Sequence, residues 1–419
     1  MSDPPIQDRT RFIAIDIHKH YLMIGGIDAQ QRIVLQPRKV ELHRGRDWAI
    51  AHLLPTDAVV LEATTNAWTI YDQVVGLVAR VVVVHPAKVR LLAAARVKTD
   101  KVDVLTLAKL FRADMLPAVW VPPMHVRDLR ALLSHRRRLV ALQTTAKNRL
   151  HSVLQRLNLK PPRGDLFARK QREWWKQLEL SATERLRVEQ DLATLEHSEP
   201  QIGEVDSELR RLSTSAQWAE QVPYLVQLPG IGLLTAMTIL GAIGAITRFG
   251  AAKQLVGYAG LGAGVHASGK THRDKGITKQ GRRDLRFVLV EAARVAGQTH
   301  PYWQQEFGRL ATRIGEHTAV VAIARKLLIA VWHVLMSKRA DRRADAEQVA
   351  FKLMVWSWKL TDEQRGGLSS RQFIRAHLLR LVLGEDLRHI TRGGTKRPLA
   401  TREEVLALRP ELRDPPNTG

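Results

Sequence analysis

Over residues 11–118 the apolar positions fall into short runs: Phe12 to Ile17, Leu22 to Ile27, Ile33 to Leu35, Ala58 to Glu62 and Val81 to His85. Between them lie longer periodic stretches around Trp48 and from Trp68 to Leu77. Short apolar runs bounded by polar turns predict strands, and the stretches between them predict helices. Turn-sized gaps separate the first three runs, which predicts an antiparallel meander. Helical stretches flank the run ending at Glu62, which predicts parallel neighbours. The expectation is an α/β domain over 11–118.

From Val126 to Leu159 the pattern changes. Leu129, Leu132, Leu139, Leu142, Ala146, Leu150, Val153 and Leu157 are spaced by threes, fours and sevens, the signature of one long helix. Residues 125–160 carry nine Lys or Arg against one acid, whereas 181–209 carry eight acids against two Arg. The second stretch has its own apolar seam of Leu186, Leu192, Leu195, Ile202, Val205 and Leu209, so the two can pair as a hairpin. Pro200 interrupts the second helix, and Ser198 with Gln201 offers a capping box for a restart, so a kink or split is expected there. The connector 160–180 holds Trp174 and Trp175, which read as packing residues.

A further block opens near Val222. In LVQLPGIGLLTAMTIL a Pro-Gly-Ile-Gly turn leads directly into an apolar helix, so amides near Gly230 and Gly232 can meet a phosphate, as in half of a helix-hairpin-helix. An ordinary helix-to-helix turn explains the same residues. Then comes GAGVHASGKTHRDKGITKQGRRDLR, rich in glycine and bases, read as a flexible basic loop around Ser268. Residues 339–419 add helical patterns near Val349 to Trp358 and Phe373 to Leu383 and end in a polar segment. The organisation expected is thus 11–118, 124–220, 221–338 and 339–419.

Candidate chemistry rests on four acids. Asp16 and Glu62 stand at the ends of apolar strands; Asp100 and Asp103 sit three apart at the start of a helix for which Thr99 is a suitable N-cap. Burying an unpaired carboxylate beside apolar strands is costly, so acids placed there call for a partner. Hard divalent ions prefer oxygen ligands, and a two-metal phosphodiester-cleaving site needs carboxylates converging from separate elements. A mixed sheet with the Asp16 strand at its centre is the ribonuclease-H-like arrangement.

Charge narrows the partner. Lys plus Arg number 65 against 41 acids, a formal +24, which is the footprint of a polyanion binder. There is no Cys, so any metal is held by oxygen or His. No run reaches the ~20 consecutive apolar residues of a spanning helix, and the start lacks the pattern of a secretion signal. No membrane partner and a cytoplasmic, nucleoid-associated location are expected.

Six blocks together carry a resemblance: IDIHK around Asp16, LEAT around Glu62, KTDKVD at 98–103, LPGIG at 228–232, YAGL at 258–261, and ASG followed by GITKQGRRDLR within 267–286. In order and spacing they resemble the DEDD transposases and recombinases, which include the Piv-type DNA invertases and the bridge-RNA-guided insertion-sequence recombinases. The resemblance covers 11–338. It implies a RuvC-like N-terminal domain, a helical coiled-coil insert and a mainly helical C-terminal transposase domain with a nucleophilic serine. Carried over, Asp16, Glu62, Asp100 and Asp103 become ligands of Mg2+, two ions in all, and Ser268 becomes the nucleophile. The resemblance implies DNA partners (element ends and target), a guide RNA, and a dimer or tetramer whose site is assembled between domains or subunits. Lys98, Gly230, Gly232, Lys270, Arg273, Lys275, Lys279, Arg282 and Arg283 are the expected nucleic-acid contacts. Two other classes use the same features: a metal-dependent structure-specific endonuclease with water as nucleophile, and a non-catalytic nucleic-acid-binding protein.

Overall fold

In the computed structural model the described residues are 11–92, 99–268, 271–392 and 394–413, with backbone alone at 88, 91, 92, 265–268 and 271–275. They divide into two compact units at Pro123/Met124.

The first unit is built on five strands: β1 (Arg11–Ile17), β2 (Tyr21–Asp28), β3 (Ile33–Glu41), β4 (Ala58–Glu62) and β5 (Arg80–Val84). Their order is β3-β2-β1-β4-β5, with β1, β2 and β3 antiparallel and β4 and β5 parallel to β1. The antiparallel and parallel pairings are those the run spacing predicted, and this mixed α/β sheet, with β1 at its centre, is consistent with a ribonuclease-H-like start. Four helices accompany it: α1 (Gly45–His52), α2 (Ala67–Val74), α3 (Pro86–Leu92) and α4 (Asp100–Arg112). Because side chains alternate across a strand, β1 sends Phe12 and Ala14 to one face and Ile13, Ile15 and Ile17 to the other. The first face packs with Met23, Ala58 and Val60 under Val104, Leu107, Ala108 and Phe111 of α4. The second packs under Ala49 of α1 and Ile70 and Val74 of α2.

The second unit begins with α5 (Met124–Arg156), followed by α6 (Arg172–Gln177) and α7 (Ala182–Ser213). α5 and α7 pack as an antiparallel pair, tied by Arg136–Asp206, Arg149–Asp191 and Arg156–Glu184. Their shared core takes in Leu150, Val153, Val188 and Leu192 with Trp175, which is fully buried and donates its indole N–H to the Leu166 carbonyl. The split expected at Pro200 does not occur. α7 runs through it, and the Ser198 hydroxyl turns back onto the Thr194 carbonyl instead of capping a new helix. Packing and ion pairing along α5 outweigh the local breaker.

The rest of this unit contains α8 (Val222–Val226), α9 (Leu233–Ile243), α10 (Ala252–Tyr258), a hairpin of β6 (Ala263–Ser268) and β7 (Thr271–Ile277), α11 (Arg283–Thr299), α12 (Pro301–Ile314) and α13 (Glu316–Ser337). The segment expected as a flexible loop is therefore a paired hairpin; its polar, Gly-rich sequence lacks apolar alternation, and backbone pairing alone marks it as strand. α13 is long and apolar enough to cross a membrane by length and composition. In the fold it is a core helix, with Ile323, Ala324, Leu327, Leu328 and Val331 buried and α8, α10, α11 and α12 packed around it. The chain continues with α14 (Ala346–Ser357), α15 (Ser370–Arg380), a hairpin of β8 (His389–Arg392) and β9 (Thr395–Pro398), and α16 (Arg402–Leu408).

Candidate active site

The parallel register of β1 and β4 pairs Ile15 with Leu61, so the next residues, Asp16 one short of the end of β1 and Glu62 at the end of β4, stand side by side. Strand alternation puts Asp16 on the face of Phe12 and Ala14, and Glu62 on the face of Ala58 and Val60. That is the face α4 covers. On α4 the buried stripe Val104, Leu107, Ala108 and Phe111 continues one turn back to Asp100 and Asp103. Thr99 caps this helix, its hydroxyl accepting from the Val102 amide at 3.3 Å, and carboxylates in a first turn are favoured by the helix dipole. One sheet face and one helix start thus carry all four acids at the same end.

Around them stand three further residues, His18, Tyr21 and Lys39, with no role expected from their sequence pattern. The Nε2 atom of His18 lies 3.1 Å from Asp16 Oδ2 and 3.7 Å from Asp100 Oδ2. Tyr21 donates its hydroxyl to Asp100 Oδ2 at 2.6 Å. The His18 ring stacks on Tyr21 with centroids 4.5 Å apart, and Lys39 Nζ stands 4.5 Å from the same tyrosine ring. Burial pushes the Asp16 carboxyl above the usual aspartate range; His18 opposes this, and the charges of Asp100 and Asp103 add to the rise. The Tyr21 hydrogen bond holds Asp100 below that range against its partial desolvation.

Carboxylates close enough to repel one another are a site short of positive charge, and their oxygens suit a hard divalent cation. The donor chemistry therefore fits the metal expected. Among the described residues no three acidic or histidine side chains stand close enough to hold one ion as placed. Glu62 is half-buried on the same face.

In the second unit Ser268 ends β6 and pairs with Thr271; its side chain, like those of Arg273 and Lys275, lies outside the described residues, as do Lys98 and Lys270 entirely. Gly230 and Gly232 separate in role. Gly230 has φ +74°, and a Cβ there would sit 2.0 Å from the Ala292 carbonyl oxygen of α11, whereas Gly232 is exposed at the N-cap of α9 with open space around it. Lys352 of α14 donates to the Leu228 carbonyl at 2.6 Å, bracing the same turn from behind; burial lowers its ammonium pKa to about 7. The YAGL and GITKQGRR blocks meet main chain to main chain: the Arg282 amide donates to the Tyr258 carbonyl at 2.9 Å, and a Cβ on Gly281 would lie 2.2 Å from that oxygen. Arg282 caps α11 and is paired with Asp284, while Arg283 and Lys279 are exposed. Ser337, the other serine between 221 and 340, closes α13 by donating to the His333 carbonyl at 2.7 Å.

Residues 13–159, which hold the four acids, match the DEDD_Tnp_IS110 family, described as a transposase; residues 222–309, from α8 through Ser268 into α12, match the Transposase IS116/IS110/IS902 family. The chain is similar to the transposase for insertion sequence element IS1111A of Coxiella burnetii, 26% identical over 348 residues that cover 79% of this chain and 91% of the relative. It is also similar to the pilin gene-inverting protein of Moraxella bovis, 26% identical over 307 residues covering 71% and 86%. The chain belongs to the DEDD transposase and recombinase family of insertion sequences.

Membership implies an enzyme that cuts and rejoins DNA. In this transposase His18 had a signal available in the sequence, since it follows Asp16 by two within IDIHK and so lies just past the same strand end. Tyr21 and Lys39 had none, because only the packing of α4 on the sheet brings them to Asp100.

Proposed function

We propose that this transposase exchanges DNA strands by Mg2+-dependent attack of Ser268 on a phosphodiester, at element ends and a target selected through a guide RNA. The observation that carries the reading is the placement of Asp16, Glu62, Asp100 and Asp103 at one end of one sheet face. These four would hold the metal, taken as two ions, which when bound neutralise charge on the attacked phosphate and polarise it. His18 orients Asp16 and Asp100 together, and Tyr21 fixes the rotamer of Asp100. Ser268 forms an Oγ–P bond as the bond from phosphorus to the departing sugar oxygen breaks; the serine proton passes to solvent and the departing oxygen takes one up. The phosphoserine ester keeps the bond energy, so a DNA hydroxyl can reverse the step to rejoin.

Lys98, Lys270, Arg273, Lys275, Lys279, Arg282 and Arg283, with amides near Gly230 and Gly232, take DNA or RNA phosphates, so affinity falls steeply with salt. The pair α5–α7 serves as the coiled-coil insert between a nuclease domain at 11–118 and a transposase domain at 221–338. Exchange of two strands on each of two DNA molecules calls for a dimer or tetramer, working where the cell's DNA lies.

The test incubates purified protein with element ends, Mg2+ and the RNA encoded beside its gene, then resolves covalent DNA on a denaturing gel. Ala at Asp16, Glu62, Asp100 or Asp103 should abolish cleavage while folding and DNA binding persist; two such variants cleaving at the parental rate would overturn the metal assignment. Ser268→Ala should lose the covalent adduct and recombination together. Cleavage by the parent with no adduct, or an adduct mapped to a tyrosine, would replace serine attack with water or tyrosine chemistry. Full recombination without RNA would remove the guide.

A further inference from the structure

Beyond both matched stretches the chain forms a second ribbon that strand exchange, as read above, does not use. β8 and β9 pair antiparallel, with Ile390 opposite Arg397 and Arg392 opposite Thr395. Ile390, Arg392, Thr395 and Arg397 therefore share one face, and Ile390 at 1% exposure anchors it to the body. On that face the Arg392 guanidinium lies 4.7 Å from the Phe351 ring of α14, and the Arg397 guanidinium 5.2 Å from the ring of Trp358, the residue that caps α14. Lys396 is on the opposite face, with Thr391, whose amide is held by the Glu347 carboxylate at 2.9 Å.

Arg392, Lys396 and Arg397 are all exposed, and none is ion-paired among the described residues. The stretch 388–397 contains no acid. Of the carboxylates flanking the ribbon, Glu347 accepts from the Thr391 amide, Glu385 is paired with Arg402 and Glu403 feels the charge of Arg388, while Asp386 is exposed before the ribbon begins. Arg392 and Arg397 lie diagonally on one face with no acid between them, and Lys396 stands on the other face of the same two strands, so cationic side chains flank both sides of the ribbon. The two arginines are already fixed on aromatic rings, so little side-chain freedom is left to lose when they bind.

We propose that the β8–β9 ribbon is a docking surface for duplex DNA, contacting backbone phosphates through Arg392, Lys396 and Arg397. The occupant follows from charge and shape. A two-stranded ribbon fits the major groove of B-form DNA, about 12 Å wide, whereas the major groove of A-form RNA is too deep and narrow to admit it. The surface goes beyond the proposed chemistry, because it adds a DNA contact in a part of the chain to which neither family match extends.

The experiment titrates salt against binding of the full-length protein to a duplex DNA of arbitrary sequence, with Mg2+ chelated so that no cleavage occurs. Each phosphate contact contributes about 0.9 to the slope of log affinity on log salt, so a variant with Arg392→Gln, Lys396→Gln and Arg397→Gln should have a slope shallower by about 2.7. A fourfold rise in salt should then cost that variant about 40-fold less affinity than it costs the parent. Lys396→Glu, which touches neither aromatic ring, should weaken binding with the unfolding midpoint unchanged, and it decides the matter if the triple variant is destabilised. A parental slope in the folded triple variant, or a larger loss on duplex RNA than on duplex DNA, would overturn the proposal. Asp16→Ala serves as the control that separates this surface from the chemistry: it should lose cleavage and keep the full slope.

Discussion

Replacing Gly230 by alanine asks whether the LPGIG turn is shaped by packing or only by its exposed amides. Gly230 has φ +74°, and an added Cβ would lie 2.0 Å from the Ala292 carbonyl oxygen and 2.8 Å from its carbon, both main-chain atoms of α11 that no rotamer change can move aside. Ala292, Ala293 and Ala296 are buried, so α11 cannot withdraw without opening the core. A left-handed conformation costs a residue with a Cβ about 1–2 kcal/mol, and overpacking adds about 1–3 kcal/mol. The sum centres on ~3.5 kcal/mol, which at the ~2 °C per kcal/mol of large domains lowers the unfolding midpoint by about 7 °C. Gly232 is the internal control, because its φ is −91° and nothing lies within 4 Å of a Cβ built there. Alanine at that N-cap should cost about 0.5–1 kcal/mol. Thermal unfolding of the two variants beside the parent makes the comparison. A Gly230→Ala midpoint equal to that of the parent, or a larger loss in Gly232→Ala, would show that the approach of the turn to α11 does not govern this part of the fold.

Tyr21→Phe removes the donor to Asp100; losing a partner that orients a ligand typically costs about 10–100-fold in activity, so cleavage should slow by that order while DNA affinity holds, and an affinity loss with an unchanged single-turnover rate would show that Tyr21 binds DNA instead. Lys352 is lowered by burial from 10.5 to about 7, so the unfolded chain holds a proton that the folded chain has released across that window. Stability should rise with pH there, the contribution being complete above the unfolded pKa and lost as pH falls through about 7. Urea midpoints of Lys352→Met should lack this rise between neutral and alkaline pH, and parallel curves for parent and variant would contradict the assignment.

The local pattern of the chain was enough to locate the strands that carry Asp16 and Glu62, because a strand buried on both faces leaves a short continuous apolar run. Gap lengths gave the antiparallel and parallel pairings, and Thr99 marked the start of α4 with both of its acids. Where local signals failed, tertiary packing was the cause. Pro200 looks like a break until α7 is laid along α5, and the basic segment around Ser268 looks like a loop until its two halves pair. Gly230 reads as an amide donor, yet its lack of a side chain answers to the Ala292 carbonyl on another helix. Tyr21 and Asp100 are 79 residues apart and meet only because α4 lies across β1 and β2. Periodicity is set by each residue's own backbone geometry and can be read along the chain. Which ring steadies which carboxylate depends on how a helix seats on a sheet, and that is decided by contacts between residues that no local pattern links.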